Sequence, residues 1–264
     1  VGEGTAVLRY LVLPRVLENF INILAPEAGA WLQVLPISAL GLRMDDETVR
    51  IAVALRLGLP ICTPHTCRQC GTRVDIYAHH GLSCLRNSGK HHRHATVNNV
   101  LYRAMASAGI PSTLEPPGLS RSDGKRPDGL TSIPWSHGRS LVWDVTIPDT
   151  LAISYRPLAV SKAGAVAGRA ESQKELKYRQ LSLSYLFSPM AIESLGVIGP
   201  KSWNFLTDLG RRIKQYSGES KSLTYLIQRL SVAVQQGNAI LIRGTLPALS
   251  NDLFSFSYYC LLLL

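Results

Sequence analysis

Apolar residues recur at helical spacing near the start of the chain, at Leu8, Leu11, Leu13, Val16, Leu17, Phe20, Ile21 and Leu24. That period predicts a helix over residues 5 to 24, started or kinked by Pro14. A second periodic stretch through Val49, Ile51, Ala54 and Leu55 follows Asp45-Asp46-Glu47 and stops at Gly58 and Pro60. Acids in the first turn and glycine after the last are what a helix end favours. From Pro60 to His94 the period disappears and Cys, His, Gly and Arg dominate, which marks a small loop-rich module held by something other than a hydrophobic core. Periodicity then returns. It predicts a helix from Ala95 to Ala108, closed by Gly109 and Pro111, and an extended piece from Ser112 to Glu115. After a polar loop from Gly118 to Arg126 come two apolar runs, Pro127 to Trp135 and Arg139 to Ile147, joined by Ser136-His137-Gly138 as a hairpin. A long helix from Lys162 to Tyr185, a strand from Leu186 to Glu193, and helices over Ser202–Tyr216 and Lys221–Gln236 complete the pattern.

Hydrophobic residues make up 46% of the chain and charged residues 17%, and no apolar run reaches the ~20 residues that cross a bilayer, so a membrane partner is not expected. The formal net charge of +10 makes a phosphate-rich partner the leading one. The chain opens on Val1 and is read as a segment of a longer polypeptide; the closing stretch 254–264 is a tail to which no role is assigned. An odd number of cysteines, five, argues against a secreted disulfide framework.

Three of those cysteines crowd into one segment. Cys67-Arg-Gln-Cys70, then His79-His80, then Cys84 supply two thiolates on one knuckle and an imidazole and a thiolate on another, a tetrahedral set for structural zinc. Either His79 or His80 completes it, with Cys62 and His65 as outside candidates. Four protein ligands leave no position for a reacting water. The following run, Arg86 to His94, is basic; Arg86, Lys90, Arg93 and His94 are candidates for phosphate contact, with Lys125 and Arg126 further along.

Asp128 heads the first apolar run of the hairpin and Asp144 lies inside the second, Leu141-Val-Trp-Asp-Val-Thr-Ile147. An unpaired carboxylate in a hydrophobic strand is strongly unfavourable. A hairpin that brings two such acids together calls for a cation, and Mg²⁺ is the usual one beside phosphates.

In order, helix, strand, strand, strand, helix, strand with P-D and then D-x-T resembles the P-D…(D/E)-x-K nucleases of restriction-endonuclease type, departing at Thr146 where lysine is expected. The resemblance is closer to the carboxy-terminal endonuclease of site-targeting non-LTR retrotransposons. The matching residues are Cys67, Cys70, His79 or His80 and Cys84; Arg93-His94; Leu114-Glu-Pro116; Arg126-Pro-Asp128; Asp144-Val145; and Lys174-Glu-Leu-Lys177-Tyr178. This resemblance, over about residues 50 to 195, implies an α/β fold with a restriction-endonuclease-like core. Its mixed sheet, flanked by helices, spans 95–195 and is preceded by a helical linker (1–60) and a zinc module (61–94) and followed by helices (196–253). It implies Asp128 and Asp144 as Mg²⁺ ligands, Glu115 as a third carboxylate, and the missing lysine supplied by Lys174, with Lys177 its rival. It further implies nicking of double-stranded DNA in the nucleus, element RNA as a second nucleic-acid partner, and the rest of a reverse-transcriptase polyprotein in cis. The competing expectation is a catalytically inactive, zinc-containing nucleic-acid-binding module.

Overall fold

The structure, a computed structural model, describes residues 21–119 and 124–247. Most of the helix expected over 5–24, the centre of the 118–126 loop and the tail at 254–264 lie outside the described residues. After a 3₁₀ helix at Pro26–Gln33 comes α1, Asp46–Leu57. Asp45 caps it by accepting the Thr48 N–H at 2.6 Å, and Gly58, in the left-handed region at φ 65°, ends it. The Cys/His segment forms a short antiparallel pair, β1 His65–Thr66 with β2 Arg73–Val74, and one helical turn at His80–Ser83.

Helix α2 spans Gly89–Ser107 and so starts before the expected Ala95. The Asn87 side-chain oxygen accepts the Gly89 N–H at 3.1 Å and nucleates the first turn inside the run of basic residues. Three strands follow, β3 Ser112–Leu114, β4 Gly129–Thr131 and β5 Leu141–Thr146. Next come α3, Ala165–Tyr178, and the fourth sheet strand β6, Leu186–Ala191. The expected single helix over 162–185 is thus split, its last part being a 3₁₀ turn at Arg179–Leu183. The chain ends in α4, Pro200–Ser217, and α5, Ser222–Arg243. Helix α5 outruns the expected stop at Gln236. Gly237, inside it, is required by packing: a Cβ there would lie 2.3 Å from the Arg93 side chain.

The sheet order is β3-β4-β5-β6, antiparallel except for the parallel pair β5–β6. A parallel pair needs a crossover, and α3 supplies it. The fold is therefore mixed α/β, a four-stranded mixed sheet flanked by helices. Every residue of β5 from Leu141 to Val145 is buried, as a central strand demands. The turn between β4 and β5 is tighter than the expected three residues: Ser136 bridges Arg139, and His137 and Gly138 both have positive φ, at 49° and 72°, the pattern of a two-residue hairpin turn.

One core fills the space between the sheet, α2, α4 and α5, with Trp143, Leu101, Met105, Leu206 and Leu230 at its centre. A second joins elements distant in sequence. Ile51 and Leu55 of α1 and Cys62, Leu82 and Cys84 of the Cys/His segment pack on Ala239, Leu241 and Ile242 of α5. No helix among the described residues is long and apolar enough to cross a membrane.

Candidate active site and metal centre

The sheet gathers the carboxylates through its register. Gly129 pairs with Trp143, and the Asp128 N–H donates to the Trp143 carbonyl at 3.1 Å, which sets Asp128 beside Asp144 at the end of β4. One Asp128 oxygen accepts the Val145 N–H at 2.5 Å and meets His94 Nε2 at 3.1 Å. His94 Nε2 also lies 3.2 Å from the Val145 carbonyl. Both partners are acceptors, so this nitrogen carries the proton. Burial acts to lower the His94 imidazole, but the hydrogen bond and charge of Asp128, aided by Asp144, reverse that effect and leave it raised.

Asp144 is 3% exposed and forms an ion pair with Lys174 of α3. Burial holds its carboxyl above the ordinary carboxylate range; the Lys174 ammonium opposes that rise, and the Asp128 charge adds to it. Lys174 and Tyr178, four residues apart on α3, share a face. The Tyr178 hydroxyl donates to the Arg126 carbonyl at 2.9 Å and accepts from Lys177 Nζ at 2.7 Å. Lys174, not Lys177, thus reaches the acid on β5. Lys177 lies over the Tyr178 ring, 4.4 Å from its centroid.

Two buried carboxylates hold α3 in place. Glu193, after β6, accepts the Ala167 N–H at 2.9 Å in the first turn of α3. Glu171, within α3, accepts the Lys201 and Ser202 N–H groups at 3.2 and 2.7 Å in the first turn of α4. Both are 0% exposed, and each satisfies helix N-terminal amides that have no intrahelical acceptor. A Cβ on Gly199 would come within 2.2 Å of the Glu171 carboxylate, so glycine is needed there.

The remaining expected site residues divide between surface and interior. Glu115, at φ 47° just past β3, pairs with Arg126 at the surface; its carboxylate and the Arg126 guanidinium engage each other. Arg93 is 3% exposed and turned inward. It donates to Asn238 of α5 at 2.6 Å, and burial pushes its pKa down to about 10. Its stem packs against Gly237 of α5 and its guanidinium is buried on Asn238, so it belongs to the core and is removed from the set of phosphate contacts. His94 faces the carboxylates rather than the basic surface. Lys90 is half-buried and donates to the Ser83 carbonyl at 2.8 Å, while Arg86, Lys125 and Arg126 are exposed. The residue that sequence reasoning undervalued is Tyr178, whose signal was its i, i+4 spacing from Lys174.

In the segment before α2, Cys67, Cys70, His80 and Cys84 bring one ligand atom each within 4.8 Å of all the others, a set that could hold a metal such as zinc. His80 Nε2 is 3.1 Å from Cys70 Sγ, whereas the His79 ring lies tilted beside Tyr77, 5.9 Å between ring centroids. His80, not His79, is the imidazole of the cluster. Cys62 and His65 lie outside the cluster; Cys62 Sγ is 3.7 Å from His65 Nδ1, and burial pushes the thiol up to about 11. Hydrogen bonding with Thr72 brings Cys70 down to about 6, in the direction metal ligation requires. The knuckle between Cys67 and Cys70 also caps α5. Arg68 N–H donates to the Thr245 carbonyl, and Arg68 Nε and Gln69 Nε2 donate to the Gly244 carbonyl, each at 3.0 Å.

No known protein-family model matches this chain, and no curated protein is significantly similar to it in sequence.

Proposed function

We propose that this chain is a Mg²⁺-dependent endodeoxyribonuclease of the restriction-like kind, the part of a non-LTR retrotransposon reverse-transcriptase polyprotein that nicks its DNA target in the nucleus. The observation that carries the reading is the meeting of Asp128, Asp144 and Lys174 from three separate elements, with Lys174 ion-paired to a buried Asp144. Two adjacent carboxylates are a hard oxygen donor set suited to Mg²⁺; burial is the main cause that raises Asp144, and the Asp128 charge that adds to it is what a cation between them would relieve. Asp128 and Asp144 would hold it. When bound, Mg²⁺ supplies Lewis-acid polarisation of phosphate oxygens and a more acidic water.

The chain's own residues do the rest. Lys174 offsets charge on the scissile phosphate and orients the attacking water. His94 and the Val145 N–H fix one Asp128 oxygen from two sides, so the carboxylate does not swing as substrate enters. Glu193 and Glu171 set the height of α3 and with it the reach of Lys174. Cys67, Cys70, His80 and Cys84 would hold structural zinc, a closed four-ligand set. Supercoiled plasmid incubated with the zinc-loaded protein is expected to become nicked circle with Mg²⁺ and to stay supercoiled when EDTA is added before the protein. Binding of plasmid without nicking under either condition would return the chain to the class of non-catalytic nucleic-acid-binding modules.

A further inference from the structure

Away from the carboxylates, two neighbouring cavities of about 420 and 320 Å³ lie along the outer junction of α2 and α5. Both are lined by His92, Ile240 and Arg243, so they are two halves of one trough. The Cys67–Cys70 knuckle forms one end through Arg68, and the segment before α1 forms the other through Arg43. Among the lining residues three are arginines and one, Asp45, is a carboxylate. Asp45 is already engaged, capping α1 through the Thr48 N–H and lying 3.3 Å from Arg243. The trough therefore carries excess positive charge. Arg68 is fixed by its Nε on the Gly244 carbonyl, which leaves its two terminal nitrogens with donors available, and Arg43 and His92 are exposed. The first-turn amides of α2 contribute nothing here, since Asn87 and Ser88 already accept from them.

We propose that this trough binds the phosphodiester backbone of a nucleic acid through Arg43 and Arg68, with His92 at its floor and Arg243, held by Asp45 and the Thr48 hydroxyl, adding charge to its wall. Fixed guanidinium forks beside open space suit phosphate oxygens. The side chains select charge and leave bases unread, so the contact is indifferent to sequence. The inference rests on the nucleic-acid reading above and extends it to a second surface. His92 lines the trough while His94, two residues on and about 200° around the helix, faces Asp128. The backbone held in the trough is therefore not the segment cut at the carboxylates, and the trough acts as a tether. Because Arg68 sits between two cysteines of the metal cluster, ordering of the knuckle by metal also sets this contact.

Fluorescence anisotropy of a labelled DNA duplex and of a labelled RNA hairpin, across a salt series with zinc-loaded protein and no added Mg²⁺, tests the proposal. In Arg43→Ala/Arg68→Ala the slope of log K against log salt should become less negative by about 1.8 on duplex DNA, at ~0.9 per lost phosphate contact. The charge-matched Arg103→Ala/Lys214→Ala, both exposed and outside the trough, should leave it near the parent value. Loss on the RNA arm alone would assign the trough to RNA instead. Arg43→Glu leaves the knuckle untouched and should weaken binding on the same arm even if the double variant misfolds. An unchanged slope in the double variant with unchanged affinity in Arg43→Glu overturns the proposal, as does a parent protein that binds neither probe. Since anisotropy does not depend on cutting, a protein that fails to nick yet shows the trough-dependent slope loses only the nuclease reading. One that nicks but shows a trough-independent slope loses only the trough.

Discussion

Gly129 follows Asp128, the first carboxylate of the proposed site, and adding a single methyl group there should disturb that site. A Cβ at residue 129 would lie 1.9, 2.3 and 2.3 Å from three atoms of the Trp143 indole. Carbon atoms rest at roughly 3.5–4.0 Å, so ring or strand must move by about 1.6 Å. The ring has nowhere to go: Trp143 is 0% exposed, packed in the main core, and its indole N–H donates to Asn98 at 2.8 Å. Overpacking of this kind costs about 1–3 kcal/mol, and a clash this deep belongs at the upper end. Replacing glycine by alanine returns at most about 1 kcal/mol through the unfolded chain, so destabilisation wins. At ~2–4 °C per kcal/mol for a chain of this size, a net loss of about 2–3 kcal/mol means that Gly129→Ala should lower Tm by roughly 4–12 °C in a thermal melt of the zinc-loaded protein. Nicking should fall with it, because Asp128 is displaced along with its neighbour. In a Trp143→Phe background the same substitution meets a smaller ring. The coupling between the two changes should then be at least about 1 kcal/mol, with the loss of the Asn98 contact cancelling in the cycle. A Tm within a degree of the parent, or additive effects in the double variant, would refute the packing argument.

Zinc content measured by atomic absorption should be one per chain, abolished by His80→Ala and retained by His79→Ala; retention in both would mean the four-ligand set is wrong. His94, whose folded pKa is raised by Asp128, should contribute stability that is full below its ordinary value of about 6.5 and lost as pH rises through the higher folded value. Urea midpoints of the parent and His94→Gln, compared without Mg²⁺, should therefore differ most at the acid end and converge at the alkaline end. A gap that widened with rising pH would contradict the contact. Lys174→Ala should remove most of the nicking rate and Lys177→Ala little of it, as read from initial rates on plasmid; the reverse order would place the wrong lysine at Asp144.

What the sequence made legible was type and order; what it hid was direction. The Cys-x-x-Cys knuckle, the acids bracketing a hairpin and the succession of helix, three strands, helix and strand all follow from spacing, because metal knuckles, hairpins and amphipathic faces are local. Arg93 and His94 lie in one basic run, yet 93 turns into the core and 94 toward Asp128. No local pattern distinguishes them, since the deciding partners are Asn238 and Asp128, far away in sequence. The choice of His80 over His79 likewise depends on the fold around the turn at His80–Ser83, which brings the His80 ring to the three thiols. Glu171 and Glu193 carry no local sign of burial, yet each is buried and accepts the first-turn amides of a helix that follows or precedes it. The length of α5 past Gly237 was invisible for the same reason: that glycine accommodates an arginine from another helix.

The central claim is that Asp144 serves chemistry rather than attraction to DNA, and Asp144→Asn tests it most directly. A carboxylate that acts through a cation stabilises charge developed in the transition state and adds little to ground-state binding. Nicking of supercoiled plasmid in Mg²⁺ by Asp144→Asn, measured beside its anisotropy affinity for the same duplex without Mg²⁺, should show cutting abolished and affinity equal to or slightly above the parent's, since like-charge repulsion is relieved. Nicking at the parent rate would mean that the site is not where Asp128, Asp144 and Lys174 meet.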